Sequence, residues 1–500
     1  MSPSPPPSLR PSTAARQVWT LFGLGLALSA LLIARQQVGG DQLNLLARGW
    51  LLAVDGRFIS YGNPTSAGGN APGGITSLLV GLPLFLWRDF RAPSLVIALF
   101  HVIAYLLLDR VTKPIFTPRE RVLFAVLYWL SPWRVYYSGF LWNPNYLYLF
   151  GAVHLWTALA QRRRASFLLS FLHASALALA FQVHASFLLL VVASGLLYLR
   201  GYAKVSWAGL LSGGALASLP LIPWVLDVTS NPAIASPQHG FLGRGLLYVF
   251  PLLRGALYLL RYASLSVGGK MGFFDISRAL GPAADRILRP LFFFLAEILG
   301  GLTVVFPLAA WIWSVRRRRP HQGRRSTSPV GDTGRPGRAK ALLSRLWRRL
   351  PPEASDREWL QGYLIWTGTA AVLVFALAPT TIMAWQVLIL YHAAVLPLVL
   401  WLGTLSRRPR WAPWVARGTA AYVVLEVLLI LGLAFGSPNY RCGGREGLDL
   451  ALRSDHPMLH ELHIVQTCPL PLNQPGTWWP DVLPELGSGT AQARSSNTPR

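Results

Sequence analysis

Apolar runs close to the roughly twenty residues that a helix needs to cross about 30 Å of hydrocarbon recur along this chain, separated by short, arginine-rich joints. They fall near residues 18–34, 93–108, 121–138, 145–160, 166–181, 185–199, 205–226, 290–314, 360–378, 386–405 and 412–435. The composition agrees: 53% of the residues are hydrophobic and only 13% are charged, too few to cover a soluble surface of this size. The expected fold is an all-α polytopic membrane protein with about eleven transmembrane helices.

The net charge of +26 would suit nucleic acid, but the basic residues sit in clusters between apolar runs, the way membrane topology is encoded. No nucleic-acid partner is expected; the lipid bilayer is. One apolar run, "GGITSLLVGLPLFLW" at 73–87, decides the topology. If it spans, "DRVTKPIFTPRER" falls outside, against the positive-inside rule. If it lies in the outer interface, segments 1–17, 109–121, 161–165, 200–204, 315–358 and 407–410 all become cytoplasmic. Together they hold more than half of the 46 Lys and Arg residues. The interfacial reading is therefore preferred.

The expected organisation follows. A disordered cytoplasmic N-terminus (1–17) leads into a membrane module (18–314) with a first outer loop at 35–92 and a fourth at 227–289. A basic cytoplasmic linker (315–358), the last transmembrane helices (359–436) and a small periplasmic tail (437–500) come after it. The two cysteines, Cys442 and Cys468, both lie in the tail, where an oxidising compartment would let them pair. Localisation to a bacterial inner membrane is expected, with the N-terminus inside and the C-terminus outside.

Within the first outer loop, "GGDQLNLLARGW" reads as an amphipathic helix. Leu43, Leu46, Ala47, Trp50, Leu51 and Val54 share one face, while Asp41, Asn44 and Arg48 share the other. Lying on the membrane, such a helix would lift the polar face into water and hold a carboxylate near lipid headgroups. An Asp after Gly-Gly is equally an N-cap, so a structural role stays open. Asp55 before Gly56 reads as turn chemistry or a second carboxylate. "YGNPTSAGGNAPGG" at 61–74 reads as irregular backbone, whose free N–H groups could receive phosphate or sugar, or as a connector. "LWNPNY" offers Asn143 as a helix cap, and "FQVHASF" puts Gln182, His184 and Ser186 at one level. Arg244, Arg254, Arg261, Lys270 and Arg278 add cations in the fourth loop, for a leaving phosphate or for lipid headgroups. Glu297 and Glu426 are the acids inside expected spans. Walker A, zinc-cluster, G-x-S-x-G and dinucleotide motifs are absent from the sequence.

In their order, "GGDQLNLLARGW", "GNPTSAGGNAPGG", "GGITSLLVGLPLFLW", "LWNPNY" and "FQVHAS" resemble the C-type membrane glycosyltransferases (the GT-C fold). That superfamily includes protein O-mannosyltransferases and the aminoarabinose transferase of lipid A. The resemblance covers about residues 17–226 and rests on order and topology. It implies a GT-C-like fold with interfacial helices in the long first outer loop. The implied reaction moves a sugar from a polyprenyl-phosphate donor to a hydroxyl of a glycan, lipid or protein acceptor, on the outer face, with inversion. Asp41 falls at the family's catalytic base. Gln42 stands where Glu is frequent, so a divalent metal is not assumed and no cofactor is assigned. "WQVLILYHAAVLPL" offers Gln386, Tyr391 and His392 where an Arg-Tyr pattern is usual. On this reading Gln42, Asn44, Arg48, Asp55, Asn143, Gln182, His184, Arg244 and Lys270 are the candidate substrate-binding residues. A transporter or flippase for lipid-linked glycans, which would place charges at mid-membrane depth, is the alternative from another class; a glycan ligase is a third.

Overall fold

The structure is a computed structural model that describes residues 11–36, 38, 40–65, 69–235, 249–266, 280–317, 353–378, 382–436 and 457–464. Among these residues it is helical nearly throughout. The order is α1 (Pro11–Ala34), α2 (Gly40–Asp55), α3 (Ile75–Leu86), α4 (Ala92–Thr112), α5 (Pro118–Trp129), α6 (Pro132–Ser138), α7 (Leu147–Ala160) and α8 (Phe167–Val183). Then come α9 (Phe187–Leu199), α10 (Trp207–Ser218), α11 (Leu221–Ser230), α12 (Val249–Arg261), α13 (Pro282–Arg317), α14 (Asp356–Ala376), α15 (Ala384–Leu405), α16 (Ala412–Gly436) and the short α17 (Pro457–Glu461).

Six of these helices are long and apolar enough to cross a bilayer: α1, α4, α13, α14, α15 and α16. A seventh crossing forms if α10 and α11, bent by 54° at their junction, count as one. The expected span at 205–226 is thus a broken one, interrupted at "LPLIP", where Pro220 cannot donate to the helical ladder. The expected span at 121–138 is not continuous either. It divides into α5 and α6 because Ser131 leaves helical geometry to cap a new helix with Pro132 at its first position. Together α3, α8 and α9 are shorter apolar helices, and α3 is the run read as interfacial.

The break between α5 and α6 creates a buried polar centre. Arg134, 1% exposed, donates to Ser29 Oγ (2.9 Å) and to the carbonyls of Tyr128 (3.0 Å) and Gly25 (3.4 Å), and lies over the Trp129 ring at 4.8 Å. The carbonyls freed where α5 ends are what a buried guanidinium needs, since unpaired polar groups are costly away from water. α1 can reach this centre because Gly25 has no side chain: a Cβ there would stand 2.7 Å from the Trp129 carbonyl.

One end of the bundle is tied by charge. Glu120 closes a capping box with Thr117 at the start of α5 and is fully buried. It accepts from Arg357 at 2.6 Å and from Arg407 at 3.1 Å, which links α5 to the start of α14 and the end of α15. Gly403 makes room, since a Cβ there would meet Glu120 Cγ at 2.2 Å. Asp109–Arg121 (3.0 Å) and Arg162–Asp356 pair at the same end.

Three segments read as outer loops meet at the opposite end. Asn70 N–H donates to Ile234 O (2.8 Å), and the Trp50 indole donates to Glu461 (2.9 Å). The first loop is thereby joined both to residues 231–235 and to the C-terminal tail.

Burial pushes the Glu120 carboxyl up, but Arg357 and the Thr117 N–H outweigh it and hold it below the ordinary carboxylate range. A depressed pKa gives stability that is complete above the unfolded-state value and is lost as pH falls through the folded one. Glu120→Ala should therefore cost about 1–3 kcal/mol, because it removes charge-assisted hydrogen bonds that tie Arg357 and Arg407 to α5. In detergent, the thermal midpoint of the wild type should fall on acidification, whereas that of Glu120→Gln should start lower and respond less.

Candidate functional site

Asp41 occupies the first turn of α2, and its side chain is exposed. The indole N–H of Trp142 donates to its Oδ2 at 3.0 Å. Asn63 Nδ2 donates to the Asp41 backbone carbonyl at 3.0 Å, and Asn63 Oδ1 accepts from Arg48 at 3.1 Å. Arg48 also donates to Asn44 O (3.1 Å) and lies over the Tyr61 ring at 5.6 Å. One loop asparagine therefore fixes both the N-terminal turn of α2 and the cation about two turns below Asp41.

Of the expected polar face of α2, Asp41 reaches water but Asn44 and Arg48 do not. Gln42, Asn44 and Arg48 are 5%, 7% and 3% exposed, and the Asn44 side-chain oxygen has no partner among the described residues. Two neighbours cover them. α3 packs so closely that a Cβ on Gly49 would meet Val80 at 2.4 Å, and the 61–74 loop folds over the other side. The loop is also more regular than its composition suggested. Gly62 N–H donates to Ala71 O (2.8 Å) and Ala71 N–H to Asn63 O (2.9 Å), around a bridge between Pro64 and Asn70. Gly73 has φ +80 and a Cβ there would stand 2.7 Å from Gln182 Oε1, so glycine is required twice over, by conformation and by space. Ser60 Oγ–H donates to Asp227 of α11, pinning the loop from outside.

An aromatic wall stands beside the carboxylate. Trp142 meets Trp385 edge to face at 5.1 Å and stacks on Phe140 (5.9 Å) and Tyr137 (6.2 Å). Past this wall, Asn143 donates to Val183 O (2.9 Å), and Gln182 donates to Ala217 O (2.7 Å) while its oxygen has no partner among the described residues. His184 Nδ1 lies 2.7 Å from Ser186 Oγ, which donates to the carbonyl of Gln386, the residue after Trp385. Burial lowers the His184 imidazole to about 4, so it is neutral at pH 7 and offers an N–H, not a cation. Asp41, Arg48, Asn143 and His184 are thus linked through Asn63, Trp142 and Trp385.

Other expectations fall elsewhere. Asp55 is at the far end of α2, fourteen residues or about 21 Å from Asp41, and does not join it. Arg244, Lys270, Arg278, Cys442 and Cys468 lie outside the described residues. Of the fourth-loop cations that are described, Arg254 donates to Tyr258 (3.3 Å) and Arg261 to Ser266 (2.7 Å), both around α12. The Tyr262 hydroxyl just after α12 donates to Ala384 O, so this loop reaches the segment that carries Trp385.

Sequence reasoning missed Asn63, Trp142, Trp385 and Asp227, and it missed a second polar feature in the interior. There His173 Nε2 and His154 Nε2 share Ser194 Oγ at 2.9 and 3.0 Å, and the Tyr363 hydroxyl joins His154 Nδ1 (2.8 Å) to His392 Nε2 (2.9 Å). Glu426 is fully buried with both carboxyl oxygens unpaired among the described residues. A helix-face pattern in one segment carries no signal for such pairings between segments. Among the described residues no three His, Cys, Asp or Glu side chains are grouped to hold a metal ion.

No protein-family model, curated protein or solved structure matches the chain. Fold and site together define a largely α-helical protein of the polytopic membrane class, with an acidic, aromatic-walled site where the loop segments at one end of the bundle meet.

Asn63→Ala removes an acceptor from buried Arg48 and a donor from the Asp41 turn, a loss of about 1–3 kcal/mol where a charged group is involved. Its expected mark is faster proteolysis of the 60–74 loop with little change in the global unfolding midpoint. Asp55→Ala should leave both measurements at wild-type values.

Proposed function

We propose that this protein is a membrane glycosyltransferase that moves a sugar from a polyprenyl-phosphate donor to an acceptor hydroxyl at the outer face of a bacterial inner membrane. One observation carries the reading: a water-exposed carboxylate at a helix N-terminus, held by an indole N–H and flanked by tryptophan rings. Aromatic faces suit the C–H surfaces of a sugar ring, and the carboxylate suits the proton of an attacking hydroxyl.

In this reading Asp41 accepts the acceptor's proton as its oxygen bonds to the anomeric carbon, while the bond to phosphate breaks with inversion. Positive charge developing on the sugar is stabilised by the same carboxylate. The leaving phosphate needs N–H donors or cations, not a strong acid. The His184 imidazole N–H and the fourth-loop arginines are the groups of that kind. Trp142 keeps Asp41 oriented, and Arg48, tied to it through Asn63, supports the turn from below. The GT-C-like arrangement proposed has about eleven crossings, with the shorter apolar helices and the bent α10–α11 pair completing those that meet the length test. Its N-terminus is cytoplasmic and its tail periplasmic.

A second reading, a transporter of lipid-linked glycans, is favoured by a different observation. Arg134, Glu426 and the His173–His154–His392 network put polar groups inside the bundle, which a carrier would need.

Transfer of labelled sugar from polyprenyl-phosphate donors to membrane-extract acceptors, with purified full-length protein, separates the two. Asp41→Asn should lower transfer by at least about a hundredfold, and Trp142→Phe by a smaller factor through loss of orientation. Asp55→Asn should be unaffected. Undiminished transfer by Asp41→Asn sinks the proposed base. Passage of lipid-linked glycan across liposomes by a protein that transfers no sugar would establish the carrier reading.

A further inference from the structure

An apolar cavity lies at the other end of the molecule from Asp41. Trp385, at the start of α15, touches the Trp142 ring that holds Asp41, whereas Leu405 ends that helix twenty residues later, about 30 Å away. A cavity of about 550 Å³ opens beside this far end, walled by α5, α13, α15, α16 and residues 263–265. Along α16 its lining runs from Trp414 to Leu425, eleven residues or about 16 Å. That is close to half the roughly 30 Å hydrocarbon thickness, the depth of a single leaflet. Apart from tryptophan, only Thr303, Thr419 and Tyr422 bring polar side chains to it. A void of this size with such walls excludes water and suits an alkyl chain.

The mouth of the slot has the opposite character. Trp411 and Trp414 stand there, an interfacial pair of the kind found at headgroup level. The guanidinium of Arg410 lies over Trp411 at 5.7 Å and that of Arg417 over Trp414 at 5.9 Å, and exposed Arg408 adds a third cation. Arg407, in the same turn, is committed to Glu120. A slot one leaflet deep, apolar inside and cationic at its interfacial rim, matches a lipid with an anionic head.

The geometry points to a binding site for an anionic phospholipid of the arginine-rich leaflet, with an acyl chain in the α5–α13–α15–α16 slot and its phosphate among Arg408, Arg410 and Arg417. The positive-inside rule makes that leaflet the cytoplasmic one, so this lipid is distinct from the donor proposed to act at Asp41. The site does not depend on the glycosyltransferase reading.

Gly418 gives a direct steric test. It lines the slot, and a Cβ built on it meets no atom within 4 Å, so Gly418→Ala should be tolerated and Gly418→Phe should fill the space. Full-length protein in detergent would be titrated with phosphatidylglycerol, phosphatidylcholine, a polyprenyl phosphate and inorganic phosphate, read by native mass spectrometry and thermal midpoint. The wild type and Gly418→Ala should retain phosphatidylglycerol, roughly tenfold more tightly than phosphatidylcholine. Gly418→Phe should retain neither lipid, and the Arg410→Glu/Arg417→Glu double variant should lose the preference between them. Equal binding of the two phospholipids, or full retention by Gly418→Phe, would overturn the proposal. Stronger binding of polyprenyl phosphate would overturn it in favour of a carrier lipid, and stabilisation by inorganic phosphate alone in favour of a free-anion site. The wild-type titration and Gly418→Ala decide the matter even if the larger substitutions prevent folding.

Discussion

The arrangement depends on one buried cation. Arg134 sits where α5 stops and α6 begins, and its donors are taken up by carbonyls from that break and by Gly25 and Ser29 of α1. In a bilayer such a group has no water to fall back on, so its partners must stay in place. The consequence reaches the surface. α1 leads into the turn that bears Asp41, and α6 leads into the turn that bears Trp142. By clamping α1 to the α5–α6 break, Arg134 sets the two chain segments at the separation that lets the indole reach the carboxylate.

The two ends of the bundle are built on different physics. At one end, short ion pairs around Glu120 tie helix termini together, beside arginines that crowd a tryptophan-rimmed slot. At the other, side-chain hydrogen bonds and aromatic contacts join loops around the exposed carboxylate of Asp41, with Asp227 and Glu461 holding the loop edges. Charge density at the first end suits an anionic membrane surface. Between them, the Tyr363 hydroxyl bridges His154 and His392 inside the bundle.

Much of this was legible in the chain. Apolar run lengths gave the membrane class, and clustered arginines separated one end from the other. The run "GGITSLLVGLPLFLW" forms α3, a short apolar helix of 12 residues that lies against α2. Helix starts followed Pro and capping residues, as at Thr117–Pro118 and Ser131–Pro132. The environment of the polar face of α2 was not legible. Asn44 and Arg48 have the periodicity of a solvated face, but a loop from residues 61–74 folds over them, and periodicity reports which residues share a face without saying what covers it. The α5–α6 break escaped because 121–138 reads as one apolar run in spite of the Ser131–Pro132 cap, and the carbonyls freed there are taken up by the buried Arg134 guanidinium.

By itself, then, the sequence determined what is local: apolar length, charge asymmetry, the caps, and an Asp at the start of an amphipathic helix. Tertiary structure decided which distant groups meet. Trp142 reaches Asp41 across 101 positions, Asn63 joins Asp41 to Arg48, and Trp385 completes the wall. Such contacts follow from how helices close on Gly25, Gly49 and Gly73, where the absence of one carbon sets the approach. A segment's own composition does not encode the distance to a neighbour it has not yet met.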